Sequence, residues 1–154
     1  VNFPQVLAMM SEKLDWTQKL GDAFLAQQKD VMATVQALRK KAADAGTLKT
    51  TKEQKVVVEQ ETIVIESASP QVVYVPTYNP TVVYGSWPYP AYPPATYYPP
   101  GYVAGTALFS FGVGMAAGAA WGYAWGGCDW HGGDVDVDID RNTNINNNIN
   151  RGNY

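Results

Sequence analysis

Charge is missing from the middle of this chain. From Ser67 to Cys128 there is no Asp, Glu, Lys, Arg or His. A soluble domain spreads charge over its whole surface, because ionised groups keep that surface hydrated. A neutral run of this length implies a cover: lipid, a partner, or copies of the same chain. Cysteine is nearly absent too. The lone Cys128 excludes an intrachain disulfide and any Cys-rich zinc module. The single histidine, His131, stands beside Gly132 and Gly133, on backbone too loose to position a general base. Basic excess is lacking as well. A net charge of −3 leaves no surface suited to a phosphate backbone, which excludes nucleic acid as a partner. No nucleophile–base pair, paired-acid constellation or phosphate loop is present, so the chain reads as non-enzymatic and without an organic cofactor. Neither an initiating Met nor a signal peptide precedes the first helical residues. That suggests a processed chain or the ordered part of a longer one.

What is present is unevenly placed. Nine of the ten prolines fall between Pro70 and Pro100, and eight of the ten tyrosines between Tyr74 and Tyr102. Twelve of the fourteen glycines lie at or after Gly85. Residues 1–66 carry nine basic and nine acidic groups and read as ordinary folding sequence. Pro4 suits a first helical turn, where its missing N–H costs nothing. Val6, Leu7, Met10 and Leu14 then recur at helical spacing. Asp15 is placed to cap a turn holding Trp16 and Leu20. Gly21 interrupts, and Asp22 is placed to cap the longest helix, ending near Ala45. Phe24, Gln28, Val31, Val35, Leu38, Ala42 and Ala45 form one face of it, with Leu25 and Met32 beside them. Such a stripe buries against a core or against another subunit. Gly46 is placed for a C-cap.

After a polar linker, 47–55, the pattern turns to β-branched residues. Val56, Val57, Val58, Thr62, Ile63, Val64 and Ile65 predict strand. The cluster Ser67-Ala68-Ser69-Pro70 predicts a turn, and residues 71–75 a returning strand, so the pair reads as a β-hairpin. A ten-residue echo follows. Val-Val-Tyr closes at Tyr74 and again at Tyr84, and each copy is expected to form a short strand and then a turn. Residues 87–100 are too rich in proline for sheet or helix. They predict an extended polyproline arm with projecting rings, serving as a wrapping arm, a tyrosine display or a stiff spacer.

Three stretches carry a resemblance: Val6-Leu-Ala-Met-Met10, Leu14-Asp-Trp-Thr-Gln-Lys-Leu-Gly-Asp-Ala-Phe-Leu-Ala-Gln-Gln28 and Val72-Val-Tyr-Val-Pro-Thr-Tyr-Asn-Pro80. They are similar to a bacterial cell-envelope family known as domain-of-unknown-function family 3300. The likeness covers residues 1–90, and the Gly-rich and Asn-rich continuation resembles that family's variable tail. The chain resembles the family's C-terminal part only. The resemblance implies an exported protein of periplasm, outer envelope or exterior. It supplies no catalytic residue.

Two segments remain. In 101–133, Gly114, Gly118, Gly122 and Gly126 repeat every four, a spacing that lets helix backbones meet closely, as in membrane helix pairs. Residues 102–126 are long enough to span a bilayer as a helix. In the same segment Phe109, Phe111, Val113 and Met115 alternate with small residues, which suits a strand, and helix and strand both stand. In 134–154, every even position from Asp134 to Asn150 is Asp or Asn. This strict period of two predicts a strand that wants a neighbour. Asn142, Asn144, Asn146 and Asn148 suit ladders between stacked copies. Asp134, Asp136, Asp138 and Asp140 are oxygen donors suited to Ca²⁺.

The fold expected is α+β. An N-terminal helical hairpin (1–46) and linker (47–55) precede short β-hairpins (56–86), an extended Tyr/Pro arm (87–100), a Gly-rich segment (101–133) and an alternating, β-prone tail (134–154). The function expected is a non-catalytic structural protein that self-assembles into a filament or large homo-oligomer. Its contacts would run through Tyr74, Tyr84, the four spaced glycines and the four tail asparagines. The alternative is an envelope binding or tethering module that contacts cell-wall polymer or a partner protein through its Tyr/Pro arm; a third reading is a membrane protein anchored by residues 102–126.

Overall fold

Helical sequence opens at Pro4, and three helices follow in succession: α1 (Pro4–Glu12), α2 (Leu14–Ala26) and α3 (Gln28–Asp44). The computed structural model describes residues 3–69, 72–96, 98, 109–111, 115–116, 128–130 and 134–135. The breaks fall at Lys13 (φ −119°, ψ 50°) and Gln27 (φ −148°, ψ 53°). Gly21 does not interrupt and Asp22 does not cap, and the helical region forms three helices. A glycine inside a helix costs only ~1 kcal/mol, too little to end one by itself. Across the first break the Thr17 hydroxyl donates to the Met10 carbonyl at 2.9 Å. The expected stripe does face inward: Met32 and Ala42 are buried, and Val31, Val35 and Leu38 are half-buried. The C-cap is where the glycine lies. Gly46 takes φ +67° and donates to the Ala43 carbonyl at 2.9 Å, while Leu48 N–H reaches back to Ala42 O at 3.1 Å.

Strands β1 (Gln54–Glu59) and β2 (Thr62–Ser67) pair antiparallel, Val58 opposite Ile63 and Val56 opposite Ile65. This corrects the expected register. The hairpin of β1 and β2 turns at Gln60-Glu61, with Gln60 at φ 56°, and the expected turn after Ser67 brings Val72 back to Ser69, N–H to carbonyl at 3.4 Å. Two β-branched runs of equal length align their apolar faces best by folding between Val58 and Ile63. Beyond the hairpin, β3 (Val72–Val73) pairs antiparallel with β6 (Met115–Ala116), and β4 (Pro76–Thr77) with β5 (Ser110–Phe111). Within the Gly-rich segment, the described residues 110–111 and 115–116 are therefore strand. A last short pair joins β7 (Cys128–Asp129) and β8 (Asp134–Val135).

The ten-residue echo does not repeat its structure. Val72 and Val73 are strand, but Val82 and Val83 lie in a helical turn, α4 (Pro80–Val83). Asn79 decides this: its Oδ1 accepts from the Thr81 N–H at 3.0 Å, and Pro80 follows at the first helical position. Val83 ends up the most buried side chain, 1% exposed. It joins Ala42, Leu48 and Ile63 in one small core, against which Val56, Ile65, Tyr78, Tyr84 and Phe109 pack. The Thr47 hydroxyl lies 2.8 Å from both the Ala42 and the Val83 carbonyls and ties α3 to α4.

The two glycines of the helical region should respond in opposite directions. A Cβ at Gly21 meets nothing within 4 Å, so Gly21→Ala should stabilise by about 0.5–1 kcal/mol. Gly46→Ala forces an L side chain into left-handed backbone and should cost roughly 1–2 kcal/mol. Chemical denaturation of the two variants checks both signs.

Candidate functional site: an apolar cavity with a tyrosine pair

The core leaves a hollow of about 470 Å³ on one side. Such a volume lies within the range of small-molecule and side-chain pockets, ~300–1,000 Å³. Val35, Leu38 and Ala42 of α3 form one wall, and Ile65 and Ser67 of β2 form the second. Val73, Tyr74, Pro76, Tyr78, Tyr84 and Phe109 complete its lining. Arg39, Glu53 and Glu66 stand at its margin. Periodicity explains the helical wall: positions 35, 38 and 42 share one helix face.

Arg39 is the hinge of the polar side. Its Nη1 donates to the Ile63 carbonyl at 2.7 Å, and its guanidinium lies 4.0 Å from the centroid of the Trp130 ring. The first contact joins α3 to β2 and the second joins α3 to the turn between β7 and β8. Gln36 completes the junction. Its Oε1 accepts from Ile63 N–H at 3.0 Å and its Nε2 donates to Ile63 O at 3.3 Å. Glu66 is held by Lys55 at 3.1 Å across the outer face of the hairpin.

The tyrosines form a pair. The Tyr78 and Tyr84 hydroxyls are 2.7 Å apart, and the rings meet edge to face at 5.8 Å. Only one proton is needed between the two oxygens, so a second O–H donor is left over. Burial raises the Tyr84 pKa well above the ordinary tyrosine value, repulsion from an ionised Tyr78 and their hydrogen bond raise it further, and the Arg39 charge opposes the shift. The Tyr84 hydroxyl therefore stays neutral in any ordinary buffer. The pair also sits mid-way along a line of rings. Phe111 stacks on Phe109 at 6.3 Å and Phe109 meets Tyr78 at 5.2 Å. Tyr84 meets Trp87 at 6.3 Å, and Trp87 meets Tyr89 at 6.1 Å. The line runs from the core into the Tyr/Pro arm. That arm is not straight: Tyr92 N–H bonds Tyr89 O at 2.9 Å, and the Trp87 Nε1–H bonds Tyr92 O at 2.8 Å. Its described end returns toward α1, where Ala95 and Thr96 share a smaller hollow of about 180 Å³ with Val6 and Met9.

The sequence itself decides what the chain is related to. It belongs to the protein family of unknown function DUF3300, whose pattern matches residues 1–154. The chain is 40% identical over 163 residues to the uncharacterized protein YacH of Escherichia coli (strain K12), an alignment covering 84% of this chain and 26% of YacH. It thus spans about a quarter of that relative's length. No solved structure matches it.

Of the residues expected to act, Tyr74 and Tyr84 line the cavity. Asp134 begins β8. Gly114, Gly118, Gly122, Gly126, Asp136, Asp138, Asp140, Asn142, Asn144, Asn146 and Asn148 lie outside the described residues. Among the described residues no group of three or more His, Cys, Asp or Glu is placed to hold a metal, and no helix is long and apolar enough to cross a membrane. The sequence reading passed over Arg39, Gln36 and Tyr78. Gln36 has no signal at all, since its partner is 27 residues away.

Tyr84→Phe should remove the hydroxyl bond and cost about 1 kcal/mol. The folded state holds the Tyr84 proton more tightly than the unfolded chain does. Stability from this group is therefore complete below pH ~10, the ordinary tyrosine value, and is lost as pH rises beyond it. Alkaline titration followed by circular dichroism should show wild type losing stability above that pH, with a shallower decline in Tyr84→Phe.

Proposed function

We propose that the chain is a non-catalytic structural protein of the bacterial envelope or exterior that associates with copies of itself. The observation that carries the reading is burial. Neither α1 nor α2 buries a single residue. Leu7, Met10, Leu14, Trp16, Leu20 and Leu25 are exposed along them, Leu14 at 67% and Leu25 at 85%. Scattered exposed leucines are ordinary, but two successive helices with no buried face are not. Covering a Leu from water is worth roughly 1.5–3 kcal/mol, a large return for any surface that meets these helices. The uncharged run from Ser67 to Cys128 supports the same reading.

A second reading rests on the arm. Tyr89 and Tyr92 are 55% and 79% exposed while Trp87 holds the turn that presents them. Two rigid rings on a bent arm are suited to contacting cell-wall polymer, and Ca²⁺ at the tail carboxylates would belong to either reading.

Light scattering across a concentration series should show mass rising beyond one chain, and Leu14→Glu with Leu25→Glu should lower it. A monodisperse monomer at high concentration overturns the first reading. Sedimentation with peptidoglycan, lost on Tyr89→Ala with Tyr92→Ala, is the outcome the second one requires.

A further inference from the structure

The hollow beside the core holds a hydrogen-bond donor that the chain does not use. Its volume is about 470 Å³, and Val35, Leu38, Ile65, Val73, Pro76 and Phe109 give it an apolar lining. The polar groups around it are largely committed. The Ser67 hydroxyl donates to the Val72 carbonyl and accepts from the Ser69 N–H, and Gln54 Nε2 donates to Lys49 O at 3.1 Å. The charges at its margin are committed too. Glu53 pairs with Lys52 at 3.6 Å and Glu66 with Lys55 at 3.1 Å. Arg39 holds the Ile63 carbonyl and covers Trp130. The tyrosine pair is the exception. Each phenol carries one O–H, and the 2.7 Å contact between Tyr78 and Tyr84 uses one of the two. The other finds no acceptor among the described residues. The hydroxyl that accepts from its neighbour is polarised by it and becomes the better donor.

We propose that this hollow binds a small uncharged molecule, apolar along its length and carrying one carbonyl oxygen, which accepts the spare O–H of the Tyr78–Tyr84 pair. An apolar body matches the lining, where burial is the main gain. One acceptor matches one spare donor. A phenol O–H covered by a ligand without an acceptor would lose its hydration and gain nothing in return. Neutrality follows from the margin. An anion would meet an Arg39 already engaged, and a cation would have to take Glu53 or Glu66 from its lysine. Tyr74 also lines the hollow, but no second hydroxyl among the described residues polarises its own, so the bond belongs to the pair. The site uses residues of one chain and does not depend on self-association.

The test titrates the full chain by calorimetry with three probes: methyl pentyl ketone, a terminal heptene that lacks the oxygen, and heptanoate, which is charged. The ketone should bind roughly fivefold tighter than the heptene, the worth of one neutral hydrogen bond, and tighter than heptanoate. Isotopically labelled at its carbonyl carbon, it should show a downfield resonance shift on binding. Tyr78→Phe with Tyr84→Phe keeps both rings and removes both hydroxyls, and it should erase the shift and the preference for ketone over heptene. Tyr84→Phe alone leaves one O–H and should keep the preference, as should Tyr74→Phe. Val35→Trp fills the hollow from α3 and should abolish binding of both neutral probes. Circular dichroism checks that each variant folds, and the wild-type affinities and carbonyl shift test the site without any variant. Equal affinity for ketone and heptene, tighter binding of heptanoate, a preference lost in Tyr74→Phe, or binding indifferent to Val35→Trp overturns the proposal. So does the absence of saturable binding, including the case where a second copy of the chain covers the hollow.

Discussion

Everything described in this fold hangs on Ile63. Its side chain is 5% exposed in the small core, and its backbone is gripped by Gln36 and Arg39 of α3. A two-stranded hairpin is marginal by itself in water. It becomes a fixed element here because one strand gives both its apolar face and a pair of edge groups to a helix. Hydrogen bonds to a charged donor are the stronger kind, and Arg39 spends one on this carbonyl while its face covers Trp130. The same side chain therefore sets where the hairpin sits and where the turn between β7 and β8 meets α3.

From that junction the structure thins out. Among the described residues the buried hydrophobic ones are few: Met32, Ala42, Leu48, Ile63 and Val83. In place of a thick core the chain uses a line of rings from Phe111 to Tyr89, each touching the next. Ring contacts of this kind add ~0.5–1.5 kcal/mol each beyond the area they cover. They carry order outward from the core to the Tyr/Pro arm, which a sequence so rich in proline does not gain from hydrogen-bonded ladders. The arm's turn at Tyr89–Tyr92 is the outer end of that line.

Local rules proved readable where a short-range device acts. The helix start at Pro4, the inward stripe through Val35, Leu38 and Ala42, and the cap at Gly46 all follow from residues within one or two turns of each other. Gln60-Glu61 turns the hairpin of β1 and β2, with Val58 aligned on Ile63, and the chain turns again where Val72 N–H bonds Ser69 O at 3.4 Å. Local rules failed where two solutions were nearly equal. Val-Val-Tyr is written twice, yet Asn79 and Pro80 turn the second copy into helix. The cavity was legible only in part. Tyr74 and Tyr84 stood out by composition, but Gln36, Arg39 and Phe109 join the site through contacts that span most of the described chain.

Sequence by itself determined the passage from N-terminal helices to strand, the absence of charge between Ser67 and Cys128, and the family. Each of these depends on composition or on spacing along the chain. Tertiary structure alone decided the place of the hairpin turn, the pairing of the two tyrosine hydroxyls, and the meeting of α3 with β2 over a hollow. Those outcomes depend on which distant groups satisfy each other once water is excluded. The neutral stretch shows the division most clearly: its lack of charge is visible in the residues, but only folding sets Tyr78, Tyr84 and Phe109 against the same small core.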